Sequence, residues 1–226
     1  MRTTLSLEVL QGVQLMNSLK CKFTLIFLII LLSEAIVFAS DISFSGGYTK
    51  VNLQENNKSV SLSGGAKVVA DGLTIEAQEI ELYGTDYKYV SCTGSVVVQD
   101  EERGISLQCP SLSYDREKEQ IISDGWIEIE DTQNEANLSG AWFEYDTKST
   151  LMKLQMMAKI VKVTEDGLMT CQADSIEFNN ETQIVTLKGN AQIEWNGSTY
   201  KAAMIIVDLS DNSITMHGSI TGEVNG

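Results

Sequence analysis

Apolar and polar residues alternate along most of the chain beyond residue 40. In Val60-Ser-Leu62-Ser-Gly64-Gly-Ala66-Lys-Val68 the even positions are apolar or small and the odd ones mostly polar. This is the period-two pattern of a strand that buries one face. Related segments run from Val90 to Val98, Ile121 to Ile129, Leu154 to Ile160, Val185 to Ile193 and Ile214 to Ile220. Aligned on their centres, a marker position falls at 64, 94, 125, 158, 189 and 218, a recurrence of about 30 residues. Glycine occupies it in every segment but the fourth, which has Ala158. A glycine inside a strand marks a bend, a bulge or a close backbone approach, and here it predicts the corner where each strand turns.

A second strand accompanies most segments. Ile75-Glu-Ala77-Gln-Glu-Ile80-Glu-Leu82 shows the form, and Leu107 to Tyr114, Leu138 to Tyr145 and Cys171 to Phe178 repeat it. Tyr200 to Val207 is a weaker copy. Each breaks its alternation once with a step of three, the signature of a bulge or kink. Turn chemistry follows at Asp115-Arg-Glu-Lys, Asp146-Thr-Lys-Ser, Asn179-Asn-Glu-Thr and Ser210-Asp-Asn-Ser. One such unit cannot bury its apolar face alone, whereas several in register can. The pattern predicts an all-β, elongated domain over 41–226, built from about six repeats of roughly 30 residues.

The front of the chain reads differently. Lys20 and Lys22 precede an apolar run from Phe23 to Leu32, and Val37-Phe38-Ala39-Ser40 follows. A positive region, an apolar region and a small-residue cleavage site make a secretory signal peptide. Residues 1–40 are therefore an upstream extension and export signal, with cleavage expected after Ala39 and Met16 a plausible start. The alternative is an uncleaved anchor over residues 23–39, at the short end for a span and carrying Glu34. Cys21 precedes the apolar run, which argues against a lipid-anchored form. The exported part keeps Cys92, Cys109 and Cys171, an odd number that leaves at least one thiol free.

Asn180-Glu-Thr-Gln-Ile184-Val-Thr-Leu187-Lys-Gly189-Asn-Ala191-Gln-Ile193 resembles the turn, strand, L-x-G-N-V/A, strand pattern of the LptA/OstA family of periplasmic lipopolysaccharide transport proteins. Asp211-Asn-Ser-Ile214-Thr-Met216-His-Gly218-Ser-Ile220 repeats it, and Ala173-Asp-Ser-Ile176-Glu-Phe178 is similar to the family's A-D-x-I/L-x-Y/F step. The resemblance covers roughly residues 42 to 224. It implies a folded-over antiparallel sheet, the β-jellyroll or β-taco, whose apolar groove holds the acyl chains of lipopolysaccharide or another acylated glycolipid. It further implies a periplasmic location and edge-to-edge contact with related proteins or with copies of the chain itself. Strands near Phe44–Val51 and Ile214–Val224 are the candidate docking edges, since open strand edges accept another strand. This chain departs from the pattern at Ala158 and at Lys162, which stands where an apolar residue is expected.

The inward phase selects Leu62, Ile75, Ile80, Leu107, Leu112, Leu138, Phe143, Met156, Ile176, Phe178, Leu187, Ile205 and Met216. Taken alone these residues describe an ordinary dry core. The resemblance implies that they line the lipid groove. Hydrophobic transfer, about 0.8 kcal/mol per buried methylene, would then drive binding.

Charge and chemistry narrow the remaining choices. The chain holds 16 basic and 31 acidic residues, a net charge of −15. Such a surface does not suit nucleic acid or an anionic membrane face. The three exported cysteines fall on the inward phase and read as small buried hydrophobes, with a Cys92–Cys109 bridge left open. His217 is the single histidine and is expected to face outward, so neither a multi-histidine metal site nor a histidine-based triad can form. Acidic residues fall in turns or on the outward phase, as a solvated face requires. No phosphate-binding G-x-x-x-x-G-K-[ST] loop is present, and no cofactor is expected. The sequence therefore predicts a non-enzymatic carrier. Three alternatives stay open: a membrane-anchored relay of the same fold (LptC-like), a structural β-repeat protein without lipid, and a polysaccharide-cleaving solenoid.

Overall fold

The computed structural model describes residues 42–54 and 57–225. The expected export signal, and the anchor that is its alternative, lie outside the described residues. Fourteen strands follow in order: β1 (Ser43–Ser45), β2 (Tyr48–Asn52), β3 (Ser59–Ala70), β4 (Leu73–Tyr83), β5 (Tyr89–Asp100), β6 (Ile105–Asp115) and β7 (Gln120–Asp131), then β8 (Ala136–Asp146), β9 (Leu151–Thr164), β10 (Gly167–Asn179), β11 (Ile184–Trp195), β12 (Ser198–Asp208), β13 (Ser213–His217) and β14 (Thr221–Glu223). A single 3-10 turn, Thr85–Tyr87, interrupts them. From β3 to β13 every strand pairs antiparallel with the next, so the elements form one open sheet. The all-β, folded-over antiparallel architecture expected from the sequence is the one observed.

The short terminal strands explain the bend. β1 pairs with Lys67–Val69 of β3 and β2 with Ser59–Ser63 of the same strand. They are two halves of one bent strand, broken opposite the corner of β3. β13 and β14 likewise share β12, pairing with Met204–Asp208 and Thr199–Lys201.

Each full strand crosses the corner in one of two ways. On β3, β5, β9 and β11 the buried phase takes a step of four, as from Leu62 to Ala66 or Cys92 to Val96. Two consecutive residues there adopt positive φ, for example Gly64 (76°) with Gly65 (81°) and Gly189 (74°) with Asn190 (49°). On β7 the turn rests on Gly125, at φ 129°. The partner strands take a step of three, as from Ala77 to Ile80 and Ala173 to Ile176, with a register shift at the same place. The step of three predicted from the sequence is thus a bulge in every second strand.

On β9 the positive-φ pair is Met156 (58°) and Met157 (61°). Met156, not Ala158, occupies the marker position, and Ala158 is a buried residue after the corner. The sequence alignment of the fourth segment is therefore corrected by two residues. The same slip misplaced Met156 in the interior: it is 54% exposed, on the outside of the corner.

The buried apolar residues form one continuous cluster from Val60 to Val207. It lies inside the fold of the sheet, while the polar residues alternate outward. Burial of each large side chain contributes roughly 1.5–3 kcal/mol relative to exposure.

Candidate functional site

The interior gathers most of the residues selected from the sequence. Leu62, Ile75, Ile80, Leu107, Leu112, Leu138, Phe143, Ile176, Phe178, Leu187 and Ile205 are all buried. Met216 is half-buried, because β13 is the last strand on its half of the sheet and nothing covers its far side in the described chain. Cys92, Cys109 and Cys171 are buried and free. Cys92 stands opposite Leu112 and Cys109 opposite Val96, so the two are not cross-strand partners. Burial pushes the Cys92 and Cys171 thiols up to about 12, which keeps them protonated and inert. His217 is exposed, as its phase required.

The large side chains of the interior are buried and form one apolar cluster. Concave regions are also present on the outer, polar side of the sheet. One of about 400 Å³ is lined by Ser106, Gln108, Trp126, Glu128, Asn137 and Lys159.

What seals the interior opposite the corner is a seam between two lips. The turns after β3, β5, β7, β9 and β11 form the first lip, and those after β4, β6, β8, β10 and β12 form the second. Backbone bonds run along each lip from turn to turn. On the second, Arg116 N donates to Lys88 O (2.9 Å), Thr147 N to Glu119 O (2.9 Å), Asn180 N to Thr150 O (3.3 Å) and Leu209 N to Gln183 O (3.0 Å). On the first, Thr132 N donates to Gly104 O and Val163 N to Glu135 O, both at 3.0 Å.

Side chains join one lip to the other. Asp71, in the turn after β3, accepts two bonds from the Arg116 guanidinium, at 2.6 Å from Nε and 2.9 Å from Nη2. The Tyr114 hydroxyl adds a third at 3.2 Å. This bidentate pair is largely shielded, with side-chain exposures of 13% for Arg116 and 24% for Asp71, and such geometry makes a strong ion pair. Further along, Asn134 of the first lip donates from Nδ2 to Asn180 Oδ1 of the second. Gln183 Nε2 donates back to Asn134 Oδ1 at 2.9 Å. Asp131, fully buried, holds Asn134 in place by accepting its backbone N–H at 3.0 Å and its Nδ2 at 2.8 Å. Lys162 also bonds Asn134 O, so its polar head belongs to the lip and not to the interior. Burial lowers the Lys162 ammonium, against the raising effect of Asp131 and Glu135.

Between these two clasps lies a third position of the same kind. Tyr114, Tyr145 and Phe178 are the penultimate residues of β6, β8 and β10. Tyr114 reaches the opposite lip, and Phe178 has no hydroxyl. Tyr145 is 1% exposed, and its hydroxyl has no hydrogen-bond partner among the described residues. Arg103 and Asp100 of the first lip lie within its electrostatic reach; they bond each other at 2.8 Å. Burial pushes the Tyr145 phenol up to about 12, so it stays a neutral donor.

Of these seam residues only Phe178 was selected from the sequence, and then as an interior residue. The recurring Tyr, Tyr and Phe at one strand position was the available signal, but those residues read there as inward apolar ones.

Among proteins of curated function, none matches the chain. Among solved structures, the fold is similar to that of LptH, the LptA homologous periplasmic component of the conserved lipopolysaccharide transport device from Pseudomonas aeruginosa. The TM-score is 0.50 at 16% identity, over 56% of this chain and 99% of that one, a likeness of fold. The sequence itself matches the model of one family over residues 49–213. That match runs from β2 to the first residue of β13 and so takes in the bent strands, the interior and both lips. The chain belongs to the LptA/(LptD N-terminal domain) LPS transport protein family.

Proposed function

We propose that the protein is an exported, periplasmic carrier that shields the acyl chains of lipopolysaccharide or a related glycolipid, without catalysing a reaction. One observation carries this reading. The apolar interior is continuous from β3 to β12, and opposite its corner it is closed by side-chain bonds instead of covalent chain. A sheet closed in this way can admit a long apolar guest by parting its lips. A twelve-carbon chain transferred from water would gain on the order of 10 kcal/mol. That is ample to offset a few hydrogen bonds worth about 1 kcal/mol each. Leu62, Leu112, Phe143, Phe178 and Leu187 are proposed to face the guest, together with the rest of the buried set named above. Among the described residues no helix is long and apolar enough to cross a membrane.

The same reading makes the ends of the sheet docking edges for related proteins or further copies. Phe44, Tyr48 and Val51 are exposed at one end and Ile220 and Val224 at the other.

Native mass spectrometry with lipid extraction, on the full chain expressed with export, tests both points. The expected spectrum shows acylated glycolipid bound to the chain and a series of head-to-tail multimers. Phe178→Gln is expected to lose the lipid while keeping a cooperative thermal transition. A lipid-free protein that also fails to take up added glycolipid would overturn the carrier reading in favour of a structural β-repeat protein.

A further inference from the structure

Two buried side-chain oxygens in the described chain have no hydrogen-bond partner, Tyr145 Oη and Thr150 Oγ1. Both belong to the hairpin of β8 and β9, at the second lip. A buried hydroxyl without a partner is costly and calls for an explanation. The neighbouring position shows what a satisfied one looks like, since the Tyr114 hydroxyl donates to Asp71 across the seam. Tyr145 has no such acceptor. Asp100, the acid nearest its counterpart position, is engaged with Arg103 through Oδ2 and with the Arg103 backbone N–H through Oδ1 at 3.1 Å.

The chemistry of the absent acceptor can be narrowed. Besides burial, the charges that act on the Tyr145 hydroxyl are Arg103 first and then, with the opposite sign, Asp100, Asp131 and Asp146. The one cation is already held by Asp100 at 2.8 Å, and three carboxylates beside it make a poor site for a phosphate. The hydroxyl also stands at the border between the apolar interior and the polar lip. An acylated lipid places a neutral acceptor at that same border: the ester or amide carbonyl, with its alkyl chain on one side and its headgroup on the other.

We infer that Tyr145, seconded by Thr150, is a binding site for the acyl carbonyl of the guest lipid, at the stretch of seam between the Asp71–Arg116 and Asn134–Asn180 clasps. The inference rests on the carrier reading and deepens it. The site sets how deep a chain sits, because the carbonyl halts at the hydroxyl while the methylenes go inside. It also selects acylated over alkylated lipids.

The test uses the full exported chain and two fluorescent glycolipids of equal chain length, one ester-linked and one its dialkyl ether counterpart. The ester probe is expected to bind on the order of five-fold more tightly, as one buried hydrogen bond allows. Tyr145→Phe is expected to bring the ester probe to the level of the ether probe, to leave ether binding unchanged, and to leave the melting temperature equal or slightly higher. Thr150→Val is expected to narrow the preference in part. Equal binding of both probes by the unmodified chain, or a preference that survives both variants, would overturn the carbonyl site and leave the carrier intact. Binding of neither probe would overturn the carrier reading and this site with it.

Discussion

At the corner the strands turn by backbone conformation, whereas at the seam the two lips are joined by side chains. The corner of β3 needs only Gly64 and Gly65 at positive φ, and no solvent molecule competes with a dihedral angle. The seam depends on Asp71, Tyr114, Arg116, Asn134, Asn180 and Gln183. Water can replace each of those bonds, so each contributes only about 0.5–1.5 kcal/mol net, or somewhat more where a charge takes part. A folded sheet built this way has a hinge that cannot yield and a closure that can. On the proposed carrier reading, the same interior is a stable core that a guest enters through the closure.

Substitutions at the two places should separate them. The largest effect is expected at the corner. A Cβ on Gly125 would lie 2.8 Å from Pro110 Cγ, on a backbone at φ 129°. Gly125→Val should destabilise by about 3 kcal/mol, read as a lowered denaturation midpoint with the lips and corner failing together. At the seam, Arg116→Ala removes the bidentate bond to Asp71 and should cost about 1–2 kcal/mol. Hydrogen exchange should then quicken at the turns after β3 and β6 while the corner amides keep their protection. Equal acceleration at both places would show that hinge and closure are not independent. The smallest effect has the opposite sign. Met156→Gly relieves a bulky residue at φ 58° whose side chain is mostly in water. It should stabilise by about 1 kcal/mol, seen as a melting temperature raised by a few degrees.

The contrast also governs what the sequence reveals. Corners are local: a glycine between two alternating runs announces one, and the step of three announces its partner bulge. Where the glycine is replaced, as at Met156 and Met157, the signal vanishes and the register slips by two, which carried Met156 to the wrong side of the sheet. The inward phase held elsewhere, since each of Leu62, Phe143 and Leu187 is fixed by its own immediate neighbours. The seam is not local. Asp71 and Arg116 meet across 45 residues and Asn134 and Asn180 across 46. Which turns come together depends on how far the sheet folds over and twists, and no short stretch of sequence encodes that angle. In their own segments these residues look like ordinary turn residues, as Asp115 and Asp146 in fact are, each accepting two backbone N–H groups of its own turn.

The backbone bonds that run along each lip give the seam a mechanical character. Because Thr147 is tied to Glu119 and Asn180 to Thr150, lifting one hairpin of that lip also breaks its bonds to the neighbouring turns. The rim behaves as a beam and not as a row of flaps. Force applied at one turn is passed to its neighbours through these bonds, which favours opening adjacent hairpins together as one gap. Moving such a gap sideways breaks one bond ahead for each that re-forms behind, and therefore takes far less work than making a new one.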